Sequence, residues 1–358
     1  MVLIKREYKK FNKKDCNSFI LGGDIGGTNT NLGVFGVQNN FPILLILFHF
    51  KSKELRGLHY AINETLGCIR KNYKIKIIKA CFAVAGVLSE NNDSVKITNL
   101  KWDVSKNILL KKTKLKKILL INDFEAIGYG INMLTKKDII VIKKAEKIQK
   151  ANIIVIGAGT GLGKTTLIYD ENHKSYVPMH SEAGHSDFAA QNQFELELIK
   201  FIRRYKRTKQ NISYELVLSG QGLSNIYLFL RKTGKFKETI YTREIGESKN
   251  QPELISKYRK IDPTCRATFK IFKIIYAKFA KNFALDALPF GGVYVAGGIA
   301  QKNKEIFDRE FVRIFRQNYK IKEVLKKIPI YLIPNYNVGL LGAGLYCFKN
   351  LSPKAKEF

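Results

Sequence analysis

Twice in this chain a strand-forming run breaks on a cluster of glycines and resumes as a second strand. The first instance is Ser18 to Asp24, a turn through Gly26, Gly27 and Thr28, then Asn31 to Val37. The second is Ile153 to Ile156, the turn Gly157-Ala158-Gly159-Thr160-Gly161-Leu162-Gly163, then Thr165 to Tyr169. A β-like run on both sides of a short glycine turn folds as a hairpin rather than a strand–helix step. With one hairpin opening each half, and 358 residues to bury roughly two cores, the pattern predicts two similar α/β domains facing across a cleft.

The intervening periodicities agree. A third strand is expected at Phe41 to Phe48, and helices at Lys53 to Arg70, Gln193 to Tyr205, Thr264 to Leu288 and Gly339 to Phe348, where apolar residues recur every three or four positions. Strand Ile118 to Ile121 leads into a helix from Phe124 to Leu134, with Asp123 at or near its N-cap. Val293 to Ala296 is a strand ending in Gly297-Gly298, and Ile330 to Ile333 is a last strand.

Composition narrows the class. A hydrophobic fraction of 45% belongs to a globular chain, not a disordered one. The 62 Lys and Arg against 30 Asp and Glu leave a net charge of +32. Lysines are spread along the whole chain, so the charge reads as a solvated surface and nucleic acid is not the expected partner, since such a footprint gathers on one face. The apolar run Phe41 to Phe48 is too short to cross a bilayer, and no membrane partner is expected. Met1 to Lys14 is basic without a signal-like apolar stretch and reads as a frayed extension; Ala355-Lys356-Glu357-Phe358 carries no address motif. Five widely spaced cysteines without zinc spacing read as free thiols of a cytoplasmic protein.

The glycine turns have a chemical use. A phosphate chain needs converging backbone N–H groups with no Cβ in the way. Asp24-Ile25-Gly26-Gly27-Thr28-Asn29 offers this, plus a carboxylate able to reach Mg²⁺ through water; Gly159-Thr160-Gly161 offers it again. Ala158 to Thr165 also fits a relaxed P-loop pattern, but that motif requires a helix after Lys164-Thr165, and the run Thr165-Thr166-Leu167-Ile168-Tyr169 is β-like. Lys164 then reads as a surface lysine or one near phosphate. Asp123, at the carboxyl end of a strand where α/β sites form, is suited to accept a hydroxyl proton during phosphoryl transfer. The competing reading is that it only caps the helix through Ala126 and Ile127. Glu182 and His185, three apart around a glycine, are able to bracket adjacent sugar hydroxyls or to form a surface pair. Glu215 is a further acid ahead of a helix-like run, and the alternative is simple exposure. Gly297-Gly298 lets a flat adenine or ribose approach the backbone, or makes only a tight turn.

In this order, together with Ile97-Thr98-Asn99-Leu100-Lys101-Trp102, Val217 to Leu223 and Gly339 to Gly344, these motifs resemble the bacterial-type glucokinase family of actin-like sugar kinases, over about Phe19 to Phe348. The resemblance implies two actin-like (ribonuclease H-like) domains with mixed sheets flanked by helices and an interdomain cleft. It implies a small domain of residues 17–135 plus 338–358, a large domain of 136–337, and a basic extension over 1–16. It implies ATP and Mg²⁺ as cofactors, glucose phosphorylated at its 6-hydroxyl, and a homodimer. Asp123 would be the base; Asn122, Glu182, His185 and Glu215 would hold the other hydroxyls. Asp24, Gly26, Gly27, Thr28, Asn29, Gly159, Thr160 and Gly161 would hold phosphates and Mg²⁺, and Gly297 and Gly298 would flank the adenosine. The chain departs from the family at Asn31, where arginine is common, and at Ser181 and Ala183, where glycines are frequent. A kinase for another hexose or amino sugar is the alternative, followed by a weakly catalytic paralogue that binds nucleic acid.

Overall fold

The computed structural model describes residues 4–8, 10–97 and 100–351. Thr98 and Asn99 of the matching segment, and the last four residues read above, lie outside the described residues. The chain divides into two compact units. The first comprises Met1–Thr135, Asp170–His180 and Asn337–Phe358; the second comprises Lys136–Tyr169 and Ser181–Tyr336. Among the described residues no helix is long and apolar enough to cross a membrane.

The first unit is built on a six-stranded mixed sheet. Its order is Ile4–Glu7, Phe41–Lys51, Asn29–Gln38, Ser18–Ile25, Lys79–Val84 and Lys117–Asn122. The first four strands are antiparallel neighbours, and the last two run parallel to Ser18–Ile25. Alternate side chains serve two cores, as the pleat dictates. Leu21, Phe82 and Leu120 join a cluster with Leu58, Ile62 and Ile69 of helix Leu58–Tyr73. Ile20, Cys81, Ala83 and Ile121 join one with Leu340, Ala343 and Cys347 of helix Val338–Leu351. The register aligns Ile25 and Asn122 on either side of Val84, so Asp24 and Asp123 emerge at the same edge of the sheet.

Two expectations for this unit are corrected. The basic start is not wholly a frayed extension, because Ile4–Glu7 pairs antiparallel with residues 46–49 and Tyr8 N–H continues the ladder to Leu45 O. The helix expected from Lys53 begins at Leu58. Ser52 is drawn instead into bonds with the first glycine turn, and a short 3₁₀ turn, Ser52–Glu54, fills the gap. Segment Asp170–His180 belongs to this unit through Asn132, whose amide bonds both the N–H (2.9 Å) and the C=O (3.0 Å) of Tyr176.

In the second unit, strand Ile153–Ala158 pairs antiparallel with Leu162–Asp170 and parallel with Gly292–Ala296. Ile330–Leu332 adds a parallel strand, and the unforeseen Ile140–Lys143 pairs antiparallel at its side. The 25-residue helix Pro263–Ala287 buries Phe272, Ile275, Tyr276 and Phe279 in the core, alongside Leu223, Ile226 and Tyr227 of helix Gly220–Lys232. No helix follows Lys164, which lies in strand opposite Ile156, so the P-loop reading falls.

Within the first unit, helix Val338–Leu351 packs on helix Asp123–Ile131 through glycine. A Cβ on Gly342 would overlap the Ala126 carbonyl of helix Asp123–Ile131, and one on Gly130 would overlap the Val338 carbonyl. Neither obstacle is a side chain able to move aside. Gly342→Ala is therefore expected to cost about 3 kcal/mol or more of unfolding free energy. Urea denaturation checks this, and a loss below about 0.5 kcal/mol, the range of a neutral surface change, would contradict the packing.

Candidate active site

In the first unit the glycine turn is clamped by Ser52, a fully buried residue. Its N–H donates to Thr28 O at 2.9 Å, its Oγ donates to Gly26 O at 2.6 Å and shares a bond of 2.9 Å with Thr30 Oγ1, and its C=O accepts from Trp102 Nε1 at 3.4 Å. Gly26 N–H closes the turn on Asn29 O. With these carbonyls held on the inner side, the N–H groups of Gly27 and Thr28 donate to no backbone carbonyl among the described residues. That is the arrangement an oxyanion requires. Asn31 Oδ1 meets His49 Nδ1 at 2.7 Å.

Asp123 is the first residue of helix Asp123–Ile131, but it is not the cap. Asn122 is, its Oδ1 accepting from Phe124 N–H at 2.8 Å and Glu125 N–H at 3.3 Å while its Nδ2 donates to Gly86 O. The reading of Asp123 as a cap through Ala126 and Ile127 is thus corrected: the residue before it satisfies the orphan donors. Asp123 Oδ1 accepts a second share of Phe124 N–H, at 3.0 Å. Part of Asp24 meets solvent, yet protein hems in its carboxyl. That burial, and then the like charge of Asp123, push it up to about 7. Asp24 has no hydrogen-bond or cationic partner among the described residues. Gly339 lies over it, and a Cβ there would sit 3.7 Å from the carboxyl.

Two crowded carboxyls beside a phosphate-type turn form a hard-oxygen set that suits Mg²⁺. Among the described residues, however, no three His, Cys, Asp or Glu side chains gather as a metal site.

In the second unit the groups converge on Leu162, at the exit of the other glycine turn. Leu162 N–H donates to Glu215 Oε2 at 2.9 Å, and a Cβ on Gly161 would lie 2.7 Å from that oxygen. Gly159 N–H closes onto Gly161 O, and Gly159 O accepts from Gly220 N–H, both at 2.8 Å. Glu215 is half-buried, so simple exposure does not describe it. Gly184 packs so closely on the Leu162 carbonyl that a Cβ would overlap it. This contact seats the turn that carries Glu182 and His185, whose Oε2 and Nε2 are 3.8 Å apart on side chains 49% and 61% exposed. Gly297 has φ +88, and a Cβ there would meet Ala158 O at 2.6 Å. The space over Gly159 and Gly298 is open for at least 4 Å, and Thr160 lies between Gly159 and Gly161 in the same turn. Lys164 is neither a surface lysine nor held at the turn: it is buried, 3.6 Å from Asp286 and over the Phe283 ring.

A sequence profile of the glucokinase family matches residues 21–350. The chain belongs to the glucokinase family. The glucokinase of Trichormus variabilis is 35% identical over 343 residues, which cover 92% of this chain and 98% of that protein. Among solved structures, a glucokinase from an Antarctic psychrotroph has a TM-score of 0.75 at 26% identity, with 93% and 99% of the two chains covered. A ROK family glucokinase from Streptomyces griseus, solved with glucose and AMPPNP, has a TM-score of 0.61 at 17% identity, with 91% and 98% covered, and shares the fold. The two-unit α/β architecture is the actin-like one of these glucokinases.

Sequence reasoning missed Ser52, Thr30 and Glu125. Nothing near Ser52 in the chain marks it, because its partners at Gly26, Thr28 and Trp102 come from other segments. Glu125, three residues after the cap, is half-buried; burial raises its carboxyl, and His180 partly offsets this.

Removing the clamp has a defined cost. Ser52→Ala leaves the half-buried Gly26 carbonyl and the buried Thr30 hydroxyl short of a partner and is expected to destabilise the protein by about 1–3 kcal/mol, read by urea unfolding. Asp24 makes stability depend on pH. The folded carboxyl keeps its proton to about pH 7, whereas an unfolded one loses it near 4. The native state therefore binds more protons across that window, and stability falls as pH rises through it. Asp24→Asn should remove this slope and gain on the wild type between pH 5 and 8, on the order of 2 kcal/mol after solvent screening of the partly wetted side chain. Ligand-free unfolding at both pH values checks it.

Proposed function

We propose that this member of the glucokinase family transfers the γ-phosphoryl group of ATP to the 6-hydroxyl of glucose, with Asp123 as the base. The observation that carries the assignment is the division of labour at the end of strand Lys117–Asn122. Asn122 caps the helix, so Asp123 stands at the strand's carboxyl end without the capping role. As the bond from the sugar oxygen to the γ-phosphorus forms and the bond to the β-phosphate oxygen breaks, the hydroxyl proton passes to the Asp123 carboxylate, and ADP leaves. A sugar hydroxyl ionises far above neutral pH, so a positioned carboxylate speeds the step by about 10²–10⁴-fold.

Other residues bind and orient. Asn122, Glu182, His185 and Glu215 take the remaining sugar hydroxyls. Asn122 does so with the amide N–H left after its Nδ2 donates to Gly86 O, its Oδ1 being taken up at the cap, and Glu215 with the oxygen left after it accepts from Leu162. Gly26, Gly27, Thr28 and Asn29, with Gly159, Thr160 and Gly161, present N–H and hydroxyl donors to the phosphate chain. Gly297 and Gly298 give the adenosine a surface without side chains. Asp24 would help to hold Mg²⁺, which would supply positive charge against the phosphates. The same reading makes the enzyme a cytoplasmic homodimer.

Asp123→Ala is expected to lower kcat by about 10²–10⁴-fold with an unchanged melting temperature. Near-normal turnover in a coupled assay for glucose 6-phosphate would remove Asp123 from the role of base. Glu182→Ala should raise the KM for glucose well above any change in the KM for ATP. Running both across a panel of hexoses and amino sugars tests the sugar, since Ser181 and Ala183 flank Glu182 where the family favours glycine.

A further inference from the structure

Most of the excess charge on this protein is lysine: only thirteen of its 62 basic residues are arginine. Three of those thirteen fall within eight residues, at 309, 313 and 316. The i, i+4, i+7 spacing puts them on one face of helix Arg309–Phe315 and its C-cap. They line a cavity of about 470 Å³ in the second unit together with Lys143, from the edge strand Ile140–Lys143. None of these residues belongs to the glycine turns, to the Glu182 turn or to Glu215.

The charges here are poorly balanced. Lys143 is only 7% exposed, and its Nζ donates to the carbonyls of Lys326 (2.7 Å) and Ile328 (2.8 Å). Carbonyls do not neutralise it. Burial, and next the Arg316 guanidinium, push its ammonium down to about 8. Arg316 Nε is buried without an acceptor, and Arg309 has no hydrogen bond or ion pair among the described residues. The acid in the wall, Asp308, is already engaged: it caps the helix through Glu310 N–H and Phe311 N–H and pairs with Lys273 at 2.9 Å. Glu310 likewise holds Lys273 at 2.5 Å and reaches Arg313 only at 3.7 Å. A solvated basic face would point its lysines outward. Here a buried ammonium and a buried guanidinium nitrogen face one concavity, and such charges are costly unless an anion joins them.

We propose that this cavity binds a small polyanion carrying two or more phosphate groups. Guanidinium forks match phosphate oxygens bidentately. Phe307, Ile142 and Val312 add apolar wall for the carbon body of a phosphorylated metabolite. The volume lies within the range of small-molecule sites, and a concavity of that size suits a short anion better than the extended track of a nucleic-acid backbone.

Calorimetric titration of inorganic pyrophosphate into the full chain, at constant ionic strength, tests this. The expected result is a saturable site that Arg309→Gln and Arg316→Gln each weaken at least about tenfold, the loss typical of a charged hydrogen bond, and that Thr28→Ala, in the first glycine turn, leaves alone. Arg309 is exposed, so its variant reads the site independently of folding. The proposal is overturned by unchanged affinity in both arginine variants, or by a loss confined to Thr28→Ala. It also fails if pyrophosphate gives only the unsaturable response of potassium chloride, or if a single-stranded oligonucleotide occupies the site in preference to pyrophosphate. None of these readouts uses kinase activity, so the result stands apart from the fate of the proposed base.

Discussion

Helix Asp123–Ile131 and helix Val338–Leu351 meet backbone to backbone, and much of the first unit depends on that contact. Gly130 accepts the Val338 carbonyl where a methyl group would stand, and Gly342 does the same for Ala126. A crossing this close locks the end of the chain onto the helix that begins at Asp123. It also brings Gly339 over the carboxyl of Asp24. Residues more than two hundred positions apart thereby meet beside that carboxyl, at the end of the sheet.

The chemistry at that edge follows from a choice between two adjacent polar residues. Asn122 and Asp123 are both good helix caps by type. The neutral amide takes the capping bonds because it ends the strand with extended backbone, whereas Asp123 already has helical geometry. The charge is left at the sheet edge next to Asp24, whose carboxyl it makes harder to ionise. The second unit reaches a comparable result by different means. There Leu162 is the hub: its N–H holds Glu215, its carbonyl receives Gly184, and the glycine turn precedes it in the chain.

Charge follows the same logic of burial. Most of the lysines are solvated, but Lys143 and Lys164 are not. Lys164 has a carboxylate within 3.6 Å and an aromatic face beneath it, so its charge is balanced inside the protein. Lys143 has carbonyls and a neighbouring arginine instead. The two look alike in sequence, each set in a short β-like stretch.

Local signals in the sequence were sufficient for several features. The hairpin on each glycine cluster, the strand after Lys164 that excludes a P-loop, and the long helix ending near Leu288 all follow from short-range periodicity and turn chemistry, which act through neighbours in the chain. Edge strands Ile4–Glu7 and Ile140–Lys143 escaped notice because they are short and carry charge, and only a partner strand makes them strands. Ser52 escaped because a serine declares nothing until Gly26, Thr28 and Thr30 surround it. By itself, then, the sequence determined the α/β class, the two phosphate-type turns and the candidate acids, since backbone preference and side-chain chemistry are local properties. The tertiary structure alone decided which of Asn122 and Asp123 caps the helix, which glycines are crossings rather than turns, and which lysines lose their water. Each of those outcomes depends on atoms delivered from distant parts of the chain.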